Sequence, residues 1–76
     1  MDGTVTEIDA RGLLCPLPVL RLRKRLAALG PGARVRLLAT DPASWIDVPH
    51  FCREAGHRLV EAESLNGHHR YLVEHG

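Results

Sequence analysis

In Leu14-Cys15-Pro16-Leu17-Pro18 a thiol is followed by two prolines spaced one residue apart. This pattern suits a reactive sulfur at the entrance of a helix. Proline is favoured at the first helical position, Pro16 here, because its missing N–H removes no intrahelical bond, and Pro18 lies in the first turn, where the same exemption holds. Cys15 is then expected at or beside the N-cap, where the positive end of the helix dipole favours thiolate over thiol and lowers a free-thiol pKa of about 8.5 by roughly one unit or more. Two prolines also withhold two amide donors from the sulfur, so dipole and exposure must supply the activation. The competing reading of Cys15 is a small apolar residue packed near a helix start.

The second thiol reads differently. Cys52 falls in register with Val48, Phe51 and Ala55, a helical spacing that makes it a core residue and not a resolving partner for Cys15. Five histidines, His50, His57, His68, His69 and His75, form no CxxC pair, HExxH helix or other compact ligand spacing, so no metal site is expected. No histidine is placed beside Cys15 by local spacing, which disfavours a Cys-His hydrolase. Arg11 is the loop candidate for supporting a thiolate, with solvated turn residue as its alternative. Asp9 is expected to shape the Asp9-Ala10-Arg11-Gly12 turn and not to act as a base, since a carboxylate close to a thiol opposes its ionisation. Asp41, before Pro42, has a similar turn-forming reading. Arg21, Arg23, Lys24 and Arg25 put four cations into five residues. Arg21 begins this run about 9 Å along the helix from Cys15, so Arg21, Lys24 and Arg25 are candidates for docking a partner, against ordinary solvation of a helix face.

Those residues must be positioned by a short chain. Seventy-six residues leave room for one domain, 1–76, with a modest core,. Ten Lys plus Arg against nine Asp plus Glu give a net charge of +1, which does not call for nucleic acid or an anionic membrane as partner. No apolar run long enough to span a bilayer and no secretory signal is visible, so the expectation is a soluble cytoplasmic protein with reduced thiols.

Thr4 to Ile8 reads as a first strand and residues 16 to 29 as an amphipathic helix carrying Val19, Leu22, Leu26 and Leu29 on its inner stripe. Gly30 and Pro31 end it. Arg34 to Ala39 alternates as a second strand. Thr40-Asp41-Pro42 breaks that strand, and Pro49 argues for a short turn followed by a new helix in which Asp47 is the N-cap and Pro49 an early residue. Gly56 ends this helix. Arg58 to Glu63 and Arg70 to Glu74 form a terminal hairpin around Leu65-Asn66-Gly67-His68, with a loop longer than two residues. The order βαβαββ predicts an α/β two-layer sandwich, a four-stranded mixed sheet with two helices on one face.

From Asp9 to Leu72 the chain resembles the TusA family of bacterial sulfur carriers, including its SirA and YedF relatives. The resemblance is carried by Asp9-Ala10-Arg11-Gly12-Leu13-Leu14-Cys15-Pro16-Leu17-Pro18, Thr40-Asp41-Pro42, Asp47-Val48-Pro49-His50-Phe51-Cys52 and Gly56-His57. It implies a small βαβαββ sandwich whose Cys15 carries persulfide sulfur. Cys15 would take sulfur from a cysteine desulfurase or other persulfide donor and pass it to a thiol-bearing acceptor protein, with no metal or organic cofactor. The Tyr71-Leu72-Val73 ending looks closest to the TusA branch, which implies tRNA 2-thiouridine synthesis, although Glu74-His75 replaces its more basic tail. Sulfur relay toward molybdenum-cofactor supply or sulfur oxidation is the alternative within the family. A non-enzymatic RNA-associated or regulatory adaptor is the alternative outside it, since the architecture also resembles the C-terminal domain of a bacterial translation initiation factor. Aromatic residues Trp45, Phe51 and Tyr71 do not reproduce an aromatic strand motif, so no stable direct nucleic-acid binding is expected.

Overall fold

The computed structural model describes residues 5–76, so Thr4, the expected start of the first strand, lies outside the described residues. Six elements follow in chain order: β1 (Val5–Ala10), α1 (Leu17–Ala27), β2 (Arg34–Ala39), α2 (Ser44–Ala55), β3 (Arg58–Leu65) and β4 (His68–Glu74). The sheet runs β1-β2-β4-β3, with β1 parallel to β2 and both neighbours of β4 antiparallel to it. Mixed pairing follows from the connections. A helical crossover returns β2 parallel to β1, whereas the two-residue link between β3 and β4 can only reverse the chain.

Alternation decides which face of the sheet is covered. Ile8, Ala10, Val35, Leu37, Ala39, Tyr71 and Val73 are all buried, and the register aligns them across strands, with Ile8 opposite Leu37, Leu37 opposite Tyr71 and Val35 opposite Val73. Period-two side chains therefore form one continuous apolar face. Both helices pack on it and on each other. Pro18, Leu22 and Leu26 are the buried residues of α1, and Ser44, Val48 and Cys52 those of α2. Ser44 and Tyr71 satisfy each other within this core through hydroxyls 2.7 Å apart, as buried polar groups must.

Three local expectations need correction. α2 does not restart after a turn. It begins at Ser44 with Ala43 as N-cap, places Asp47 in its first turn, and carries Pro49 in its interior. The four-residue spacing of Ser44, Val48 and Cys52 puts all three against the sheet, and this burial outweighs the hydrogen bond that Pro49 forfeits. The terminal hairpin is longer and tighter than expected. Leu65 pairs with His68, leaving only Asn66-Gly67 as the turn, with Gly67 at φ 84°. Asp9 and Ala10 belong to β1 and not to the following turn, which is Arg11-Gly12 with Gly12 at φ 83°.

Candidate functional site

Parallel pairing of β1 and β2 brings their C-terminal ends together, Ala10 opposite Ala39, so the loops that follow them leave the sheet side by side. In open α/β sheets this is where ligand chemistry gathers. Two bonds stitch the loops: Gly12 N–H donates to Thr40 Oγ1 at 2.9 Å, and Cys15 N–H donates to Asp41 Oδ2 at 2.6 Å. The other Asp41 oxygen accepts the Ala43 N–H at 3.0 Å. Asp41 thus bonds within its own turn and in addition anchors the cysteine loop from 26 residues away. Both bonds hold its carboxyl below the usual carboxylate range, the Cys15 amide contributing most.

Cys15 is exposed and precedes Pro16, the N-cap of α1, through a cis peptide. Pro18 stands in the first turn, where its missing N–H is harmless,; Pro16 itself is one position earlier than expected. The thiol is not activated in the way the dipole argument predicts. Cys15 Sγ–H donates to Asp47 Oδ2 at 2.6 Å. This bond, then desolvation, then the charges of Asp47 and Asp41 push the Cys15 pKa up. A hydrogen bond to the neutral thiol and like charge beside the thiolate both oppose ionisation.

Arg11 does not supply the compensating cation. Its Nε and Nη2 donate to Asp9 Oδ1 and Oδ2, both at 2.8 Å, and its N–H adds a third bond to Oδ1 at 3.1 Å. A fork-to-fork pair between residues two apart is the more accessible partner for a guanidinium. Asp9 is accordingly held down to about 2 by that pair. The carboxylate beside the sulfur is Asp47, which the sequence reading assigned to capping. It stands six residues beyond Asp41, in the first turn of α2, and its spacing from Cys15 carries no signal of the contact.

Arg21, Lys24 and Arg25 are exposed on α1 and line an open groove with Ile8 of β1. They therefore lie on the β1 flank of the helix, while Asp47 holds the sulfur from α2. A second groove runs between the helices, lined by Pro16, Arg23, Asp47, His50 and Glu54 among others. Leu14 and Ile46, chain neighbours of Cys15 and Asp47, are 71% and 72% exposed. Cys52 is 3% exposed, and burial pushes its thiol up to about 11. His57 packs on Phe51 and His75, and desolvation followed by the His75 charge lowers its pKa. Among the described residues no cluster of three or more His, Cys, Asp or Glu is placed to hold a metal, and no helix is long and apolar enough to cross a membrane.

The result is a two-layer βαβαββ domain presenting one exposed thiol at the end of a parallel strand pair. The family model described as Sulfurtransferase TusA matches residues 6–75. The chain belongs to the TusA family of sulfur carriers. It is 40% identical over 68 residues to a sulfur carrier protein TusA of Allochromatium vinosum, covering 90% of each chain. With the protein of the same name from Pseudomonas paraeruginosa it shares 41% identity over 66 residues, 87% of this chain and 84% of the relative. Its backbone is also similar to the crystal structure of a SirA-like protein from Desulfitobacterium hafniense, with TM-score 0.83 and 32% identity over 96% of this chain and 99% of the other.

Proposed function

We propose that this chain acts as one domain, residues 1–76, carrying sulfur as a persulfide on Cys15. The observation that supports this most directly is the contrast between its thiols. Cys15 is exposed where two loops meet, whereas Cys52 is buried in the core, so sulfur chemistry with a partner has one accessible site. The Cys15 sulfur attacks the outer sulfur of a donor persulfide, forming Cys15–S–SH. An acceptor thiolate then attacks that outer sulfur and regenerates Cys15. A cysteine desulfurase is the donor class, a thiol-bearing protein the acceptor class, and the cytoplasm the compartment. Neither step requires a metal or organic cofactor.

Leu14 and Ile46, exposed chain neighbours of Cys15 and Asp47, add apolar surface suited to a protein partner,, and Arg21, Lys24 and Arg25 add a cationic approach along α1. Net charge of +1 favours a protein acceptor over stable nucleic-acid binding,. Delivery toward tRNA 2-thiouridine synthesis is the preferred destination, on the Tyr71-Leu72-Val73 ending.

Intact-protein mass spectrometry after incubation with a cysteine desulfurase and cysteine tests the carrier role. The expected result is an adduct of about 32 Da on Cys15, the mass of one sulfur in a persulfide. No adduct under conditions that load a known carrier overturns it. A deletion strain without a redundant carrier tests the destination: 2-thiouridine should disappear and return only with native protein, not with Cys15→Ser. Normal modification in that strain redirects the sulfur to another acceptor.

A further inference from the structure

Asp47 places a carboxylate on the sulfur that reacts. Its Oδ2 accepts from Cys15 Sγ at 2.6 Å across 32 residues of chain, a distance at which a side chain can take a proton directly. Other titratable and charged groups around the pair are Asp41, bonded to the Cys15 amide, and Arg23 of α1 with His50 and Glu54 of α2, which line the groove that Asp47 enters. An acid that only held the proton in place would slow every reaction of Cys15. One that moves it would assist sulfur transfer in particular, because that reaction both removes a proton from the attacking thiol and requires one at the departing sulfur.

We propose that Asp47 is a catalytic residue of the carrier, accepting the Cys15 thiol proton as the sulfur attacks and handing it to the sulfur that leaves. This rests on the persulfide-carrier reading of Cys15. With a donor R–S–SH, Cys15 Sγ forms a bond to the outer sulfur, which keeps its own hydrogen. The donor's S–S bond breaks, its electron pair passes to the inner sulfur, and that sulfur takes the proton from Asp47. Products are Cys15–S–SH and R–SH, with Asp47 again a carboxylate and no external oxidant or reductant consumed. Once loaded, Cys15 Sγ bears no hydrogen, so its bond to Asp47 is lost and the carboxylate is free to take the proton of an incoming acceptor thiol. Delivery is the same exchange run in the opposite sense, with Cys15 as the departing sulfur.

Two reagents separate proton transfer from simple restraint. Iodoacetamide expels iodide, which needs no proton, so its rate carries no contribution from proton return to a leaving group. Glutathione persulfide expels a thiolate, which does. In Asp47→Asn, alkylation of Cys15 at pH 7 should rise, while the rate of loading from glutathione persulfide divided by the alkylation rate should fall by about 100-fold or more, within the range of general acid–base catalysis. Asp47→Glu should recover part of the loss. Loading and alkylation that rise by the same factor would reduce Asp47 to an electrostatic restraint, and two unchanged rates would remove the contact altogether. Failure of the native protein to load from either persulfide donor or desulfurase would strike the carrier reading itself. Native protein provides a readout independent of any variant's folding: the Asp47 carboxyl carbon resonance should shift together with the Cys15 Cβ resonance as the thiol ionises. An Asp47 resonance indifferent to that step overturns the proposal.

Discussion

Asp41 grips the Cys15 backbone amide at 2.6 Å with one carboxylate oxygen while the other holds Ala43 at the start of α2. One side chain therefore sets the position of the cysteine loop relative to the helix that carries Asp47. Asp41→Ala should leave the domain folded but lower sulfur loading by about tenfold or more, because small displacements of reacting groups cost rate steeply. Loading at the native rate would show that the loop holds its place without this anchor.

The same contact has a pH signature. Asp41 is held below its ordinary value of 3.8 by amides that bond its ionised form. A depressed folded pKa contributes stability that is fully present above the unfolded value and lost as pH falls through the folded one. Amide resonances of Cys15 and Ala43 should therefore shift together in acid, with a common midpoint below 3.8. A common transition at or above 3.8 would contradict the anchoring bonds.

Cys15→Ser should abolish loading without changing the far-UV circular dichroism spectrum. Serine can still donate a hydroxyl to Asp47 but cannot form or release a persulfide. Sulfur that accumulates on the variant at an undiminished rate would place the carrier elsewhere.

The buried thiol should behave in the opposite way. Cys52→Ala removes a core sulfur that is 3% exposed, and should lower unfolding free energy by about 1–3 kcal/mol in a denaturant titration while loading continues. In native protein, with burial pushing Cys52 up to about 11, alkylation near neutral pH should stop at one modification per chain. A second modification without unfolding would show that the core opens.

Charge reversal at Arg21, Lys24 and Arg25 should slow association with a desulfurase more at low than at high ionic strength, since exposed charges are screened over about 10 Å at 0.1 M salt. Stopped-flow measurements over a salt series distinguish guidance from damage. Equal slowing at every salt concentration would locate the defect in local packing.

Element order, the alternation of β2, the inner stripe of α1 and the different environments of Cys15 and Cys52 were legible in the sequence, because each depends on side-chain period and local turn chemistry. Near-range features also misled where a distant contact competed. Pro49 signalled a break in the second helix, but burial of Ser44, Val48 and Cys52 on one face carried the helix through it. The prolines after Cys15 signalled a dipole-activated thiolate, but the charged neighbour that matters lies 32 residues away. Nothing in the spacing of Cys15 and Asp47 announces their contact. It arises because β1 and β2 pair in parallel with Ala10 opposite Ala39, which sets the two following loops side by side and turns the start of α2 toward the sulfur. Sequence alone pointed to the cysteine; strand register, a property of the folded sheet, brought Asp47 and not Arg11 to its thiol.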